Sequence, residues 1–199
     1  MSHRIGYLVG SLSSDSINRV LAKALVRLAP EGLELTEIPI RDLPLYNRDD
    51  EQNPVPAVSE LKQSIEGSDG LLFISPEYNR SIPAPLKNAI DWGSRPWGQN
   101  SFARKPTGII GASTGAIGTA VMQASMRSVL SFLDAPQLNA PEAYISFKPE
   151  VYGENGEVKD AGTEKFLRHY MEEYEAFVER VLSSTLPGHM GDSDPDSMH

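Results

Sequence analysis

The chain has 199 residues, 40% hydrophobic and 23% charged, the composition of one globular domain with no need of a disulfide or structural metal. Lys+Arg 18 against Asp+Glu 27 gives a net charge of −9, which argues against general nucleic-acid or anionic-membrane binding. The lack of cysteine excludes disulfides, thiolate metal sites, iron–sulfur clusters and a cysteine nucleophile, and fits a cytoplasmic setting. No apolar run at the start reads as a signal peptide, and none approaches the ~18 residues of a membrane span.

In chain order, residues 4–9 form a short apolar run ending at Gly10-Ser11, a buried strand entering a turn. Ile17, Leu21, Ala24, Leu25 and Leu28 recur at helical spacing until Pro30 and Gly32. Residues 33–38 alternate as a second strand, and 42–56, rich in Pro, Asn and Asp, read as a long loop. Val58, Leu61 and Ile65 mark a second helix ending at Gly67, followed by a continuous apolar strand over 70–75. After a break at Pro76, Leu86, Ala89, Ile90 and Trp92 mark a third helix with Pro85 in its first turn. Residues 107–112 form another buried strand. Ile117, Val121, Val129 and Phe132 outline a fourth helix, and 143–147 form the last strand. Phe166, Tyr170, Tyr174, Phe177 and Val181 step by four or three through the clearest amphipathic helix. The end of the chain, 187–199, carries three Asp and no Lys or Arg, and is expected to be a disordered acidic tail after a single domain over 1–186.

Apolar strands alternating with helices predict an α/β fold: a three-layer sandwich around a five-stranded parallel sheet in the flavodoxin-like order 2-1-3-4-5. In such a sheet a ligand sits beyond the C-terminal ends of the strands, so the turns after Val9, Ile74 and Gly111 are the informative ones.

The first turn, residues 10–19, offers Ser11, Ser13, Ser16 and Asn18 as neutral donors beside the free N–H groups of a helix start, which suits one phosphate. The same residues also suit a capped helix with solvated serines. The second turn, residues 75–85, is stiffened by Pro76, Pro83 and Pro85 and carries Tyr78. It can present backbone donors and an aromatic surface to a flat ring, or be a stiff surface loop. The third turn, Gly111-Ala112-Ser113-Thr114-Gly115, lets a ligand approach the backbone and also matches G-x-S-x-G, the hydrolase nucleophile elbow with Ser113 as nucleophile. Asp134 and His169 follow in the order a triad needs, but His169 falls inside the last helix.

Together these segments resemble the NADPH-dependent FMN reductase family, in its quinone and chromate reductase branch. The matching pieces are G-S-L-x-x-x-S-x-N over 10–18, S-P-E-Y-N-x-S-I-P-A-P-L-K-N-A-I-D-W over 75–92, and G-A-S-x-G-x-x-G-T from Gly111, within a similarity spanning roughly residues 3–182. The resemblance implies one non-covalent FMN. Ser11, Ser13, Ser16, Ile17 and Asn18 would lie at its phosphate; Pro76, Glu77, Tyr78 and Asn79 would line the ring; Ser113, Thr114, Gly115 and Gly118 would close the other side. Many relatives carry Arg where this chain has Ser13, which removes a charged phosphate partner.

The implied activity is NADPH- or NADH-dependent reduction of quinones, with chromate, azo or nitro compounds as side substrates, by hydride transfer through flavin N5. The cofactor carries the chemistry, so no side chain is named as general acid or base and no metal is expected. A homodimer or homotetramer is also implied, with Trp97 a candidate contact; Arg95 and Arg104 are further candidates for the cofactor phosphate. The rival from another class is a flavodoxin-type electron carrier, whose acidity fits but whose T-x-T-G-x-T loop has no counterpart over residues 11–18. A Ser113 hydrolase is the third reading.

Overall fold

The strands are β1 (His3–Val9), β2 (Leu33–Glu37), β3 (Gly70–Ile74), β4 (Thr107–Ser113) and β5 (Tyr144–Ser146). In the computed structural model, which describes residues 2–184, all pair in parallel in the order β2-β1-β3-β4-β5. The helices are α1 (Ile17–Leu28), α2 (Pro56–Glu66), α3 (Ala84–Gly93), α4 (Ala120–Phe132) and α5 (Ala161–Ser184). The expected fold class and strand order are those observed.

The two faces of the sheet explain why its central strands are apolar throughout. Leu72 and Ile74 of β3 face a core built with Leu21, Leu25, Leu167 and Met171 of α1 and α5. Leu71 and Phe73 face the other core, with Leu61, Ile90 and Met126 of α2, α3 and α4. Both side-chain rows are thus removed from water, and each fully buried Leu or Phe contributes about 1.5–3 kcal/mol. The chain winds one way from β1 to β2 and the other way from β3 onward, which opens a crevice between the C-terminal ends of β1 and β3.

Tyr170 and Tyr174 anchor α5 to the sheet. Their hydroxyls donate to the carbonyls of Ile109 (2.9 Å) and Leu71 (2.8 Å), so both polar tips are satisfied inside the core. The expected long loop ends at Val55, contains a 3-10 turn at Arg48–Asp50, and is also tied down. Trp92 Nε1 and Asn88 Nδ2 both donate to the Pro44 carbonyl at 2.8 Å, and Tyr46 meets the Trp92 ring edge-on at 5.1 Å.

One expectation fails on α4. Of the expected stripe, Ile117 lies just before α4, and it, Val121 and Phe132 face outward with exposures of 48%, 38% and 71%, while Val129 packs against the core. The buried face is instead Met122, Gln123, Met126 and Leu130. Helical spacing supports both stripes, and packing against β4 selects the second. The expected tail over 187–199 lies outside the described residues. Among the described residues, no helix is long and apolar enough to cross a membrane.

Candidate functional site

Three turns leave β1, β3 and β4 and enclose a cavity of about 350 Å3 at the crevice. Ser11, Ser13, Asp15, Ser16, Ile17 and Asn18 line it from the first turn, Pro76, Glu77 and Tyr78 from the second, and Ala112, Ser113 and Thr114 from the third. The turns fit tightly because glycines permit it. A Cβ on Gly10 would meet Ser75 Oγ at 2.2 Å, and one on Gly111 would meet the Ser75 carbonyl oxygen at 2.0 Å. A larger cavity of about 520 Å3 lies between β5 and the start of α5, but it gathers none of these turns.

The first turn presents an uncapped helix. Ser16 occupies the N-cap of α1 without a side-chain capping bond, and the first turn of α1 has no acidic residue. The positive end of the helix therefore faces the cavity, with a free hydroxyl beside it. Ser11 Oγ, 3% exposed as a residue, accepts from the Ser13 N–H at 3.3 Å and braces the loop. The Ser13 hydroxyl donates to the Asp15 carboxylate and, with the backbone, holds that carboxyl below its usual value. Asp15 was not foreseen: a carboxylate is the wrong charge for a phosphate turn, and only its place between Ser13 and Ser16 marked it. Asn18 is 1% exposed, and its carboxamide bonds both backbone groups of Ala112, at 2.9 Å each.

The second turn is a rigid two-residue hairpin. Tyr78 and Ser81 exchange backbone bonds of 3.2 and 3.0 Å around Asn79 and Arg80, both at positive φ (51° and 61°). Asn tolerates this region; Arg there is strained. Asn79 thus sits at the hairpin tip, off the cavity wall, while Tyr78 stays half exposed beside the cavity. The Glu77 carboxylate turns away toward α4. Its Oε2 accepts from the Val121 and Met122 amides at 3.0 and 2.9 Å, and its Oε1 accepts from Arg80 at 3.2 Å.

In the third turn, Ser113 Oγ accepts from the Gly115 N–H at 3.1 Å. Gly115 and Gly118 do not line the cavity; Gly118, at φ 57°, packs against the Tyr144 backbone. Ala112 lines it through a position that sequence reasoning passed over, because an alanine in a strand carries no chemical signal.

The sequence profile of the NADPH-dependent FMN reductases matches residues 3–150. The chain belongs to that family. A 2-hydroxy-1,4-benzoquinone reductase from a Burkholderia species is 44% identical over 89% of this chain and 97% of its own. A quinone reductase from Pseudomonas putida is 42% identical over 88% and 95%. The solved structure of FerB, a flavoenzyme NAD(P)H:(acceptor) oxidoreductase from Paracoccus denitrificans, superposes with a TM-score of 0.87 at 43% identity, over 89% of this chain and 98% of that one.

This FMN reductase is therefore an NAD(P)H oxidoreductase whose cofactor is FMN. The residues present fit that group. The uncapped α1 terminus and the neutral hydroxyls of Ser11 and Ser16 suit a phosphate, and the stiff Pro76 turn with Tyr78 suits a planar ring. Asp15 alone opposes the phosphate. The hydrolase reading is not favoured. Asp134 lies past the C-terminal end of α4, beside Arg104, and His169 is exposed on α5, so neither lines the cavity with Ser113. The same position removes Arg104 from candidacy as a phosphate partner: it precedes β4, at the sheet edge opposite the cavity, and its N–H donates to the Asp134 carbonyl at 2.7 Å. Arg95 instead lies over the exposed Trp97 ring, 5.6 Å from its centroid.

Proposed function

We propose that FMN lies in the cavity between the three turns, with its phosphate at the start of α1 and its ring against Pro76 and Tyr78, and that the enzyme passes electrons from NADPH or NADH to quinones. The observation that carries this reading is the convergence of an uncapped helix terminus, a proline-stiffened strand end and a close-packed glycine turn on one cavity. When bound, FMN would supply two-electron redox chemistry between a nicotinamide donor and a quinone acceptor.

The chain's own residues bind and orient. Ser11, Ser16 and the backbone N–H groups of Ile17 and Asn18 hold the phosphate, while Ser113 and Thr114 border the ring from the other side. Tyr78 gives the open face an aromatic wall on which a flat nicotinamide or quinone can stack. Glu77 and its α4 amides keep the second and third turns at a fixed spacing, so the slot width is set before any ligand enters. Two relatives, a 2-hydroxy-1,4-benzoquinone reductase and a quinone reductase, support the quinone assignment.

The protein works as a homodimer or homotetramer in the cytoplasm. The exposed apolar row Ile117, Val121 and Phe132, running along α4 from the third turn, supports self-association on that face. Sedimentation velocity of wild type against Val121→Glu checks it: the charge is expected to shift the particle toward monomer.

The deciding experiment is the visible spectrum of purified protein. It is expected to carry about one FMN per chain, to bleach on anaerobic NADPH, and to recover on adding a benzoquinone. Failure to take up FMN sinks the cofactor site. A flavin that NAD(P)H cannot reduce without a separate reductase makes the protein an electron carrier.

A further inference from the structure

Asn18 supplies the ladder bonds of a strand that is no longer there. In β4 the backbone groups alternate sides: the Ile110 carbonyl accepts from the Ser75 N–H toward β3 (3.1 Å), the Gly111 N–H donates to the Ala143 carbonyl toward β5 (3.4 Å), and the Ser113 carbonyl accepts from the Phe147 N–H toward β5 (2.8 Å). The N–H and C=O of Ala112 therefore point toward β3. At that level β3 has ended: the Ser75 carbonyl and the Glu77 N–H, the groups that continued parallel pairing would bring to Ala112, do not bond to it. Two buried backbone groups would be left unpaired at the cavity floor, a costly arrangement.

The Asn18 side chain fills this gap across 94 positions of sequence. Its Nδ2 donates to the Ala112 carbonyl, and its Oδ1 accepts from the Ala112 N–H, at 2.9 Å each. A carboxamide has a peptide's donor and acceptor side by side, so one side chain can replace a backbone partner. We infer that Asn18 is a positioning residue: its side chain locks the start of α1, where the phosphate is held, to the end of β4, where the ring is bordered, and does not itself hold the phosphate. The inference rests on the flavin reading of the cavity. It changes what the first turn does, because binding of the ring then depends on Asn18 as much as binding of the phosphate.

The test uses riboflavin as a probe without a phosphate. FMN and riboflavin are titrated by fluorescence quenching into the apo forms of wild type, Asn18→Ala and Asn18→Asp, with circular dichroism to confirm folding. Asn18→Ala is expected to weaken both ligands by about ten-fold, equally within a factor of about two. Asn18→Asp is isosteric and keeps the bond from the Ala112 N–H, but its carboxylate faces the Ala112 carbonyl. Burial favours the protonated form, which donates to that carbonyl and restores the pair. Riboflavin affinity of this variant is therefore expected to recover toward wild type as pH falls from 8 to 5, where wild type stays flat. The charged groups that share the cavity wall, Asp15 and Glu77, are present in both proteins, so wild type is the control for them.

A loss confined to FMN in Asn18→Ala would return Asn18 to the phosphate and overturn the inference. So would a riboflavin affinity of Asn18→Asp that ignores pH; this second arm stands alone if the alanine variant does not fold. Wild type that binds neither flavin would sink the cavity assignment instead.

Discussion

Glu77 Oε2 lies 2.9 Å from the Met122 amide nitrogen and accepts its hydrogen, 45 residues along the chain. It also accepts from Val121, so a carboxylate from the second turn caps the helix that follows the third. An anion at a helix N-terminus is favoured by the unpaired N–H groups and the dipole together. The Glu77 side chain is 8% exposed, so water does not readily replace it.

Glu77→Ala is expected to destabilise the apo-protein by about 1–2 kcal/mol, the loss of a good helix cap. Glu77→Gln keeps one acceptor and a similar shape and should lose about half as much, the part due to charge. Urea unfolding of the three proteins measures this. Equal stability of Glu77→Ala and wild type would mean the cap contributes nothing.

Asp15→Asn is expected to tighten FMN. Asp15 is the one anionic side chain on the phosphate turn, and its lowered pKa, caused first by the Ser13 hydroxyl, keeps it charged at neutral pH. The group is open to solvent, so the gain should be about two- to five-fold and should shrink as salt is raised. Riboflavin affinity should not change. FMN titrations at low and high ionic strength check both points.

Alkaline stability should report on Tyr170 and Tyr174. Burial is the first cause that raises both hydroxyls above their ordinary value near 10. The unfolded chain then loses these protons before the folded one does. Their contribution is intact below about pH 10 and falls away as pH rises beyond it. Lys62 and Lys105, lowered by burial, act in the opposite direction, and their effect ends by about pH 10.5. Tyr174→Phe should lower stability at neutral pH by about 0.5–1.5 kcal/mol through the lost bond to Leu71. It should also make the decline above pH 10.5 shallower, by up to about 1.4 kcal/mol per pH unit. Denaturant melts at pH 8, 10.5 and 11.5 test the sign; an unchanged slope would contradict it.

Ser113→Ala should fold and keep NAD(P)H-dependent quinone reduction within about ten-fold of wild type, since it removes one turn bond of modest worth to Gly115. Ester hydrolysis should be undetectable in both proteins. Serine-dependent esterase activity in wild type would reverse the choice against the hydrolase.

Local patterns in the sequence determined the elements, their order and the three turns. The apolar run at residues 70–75 is a strand buried on both faces, Ile17–Leu28 begins and ends where its periodicity and Pro30 place it, and the motifs fall on β1, β3 and β4 as the fold requires. These are legible because strand, helix and turn preferences act between near neighbours. The tertiary structure alone decided which stripe of α4 is buried, where Arg104 lies, and what Asn18 and Glu77 hold. Residues 18 and 112, like 77 and 122, meet only after separate crossovers bring their strand ends to one edge. A polar side chain can serve a ligand or a distant backbone group equally well, and the choice is made by which partner the assembled sheet leaves unpaired.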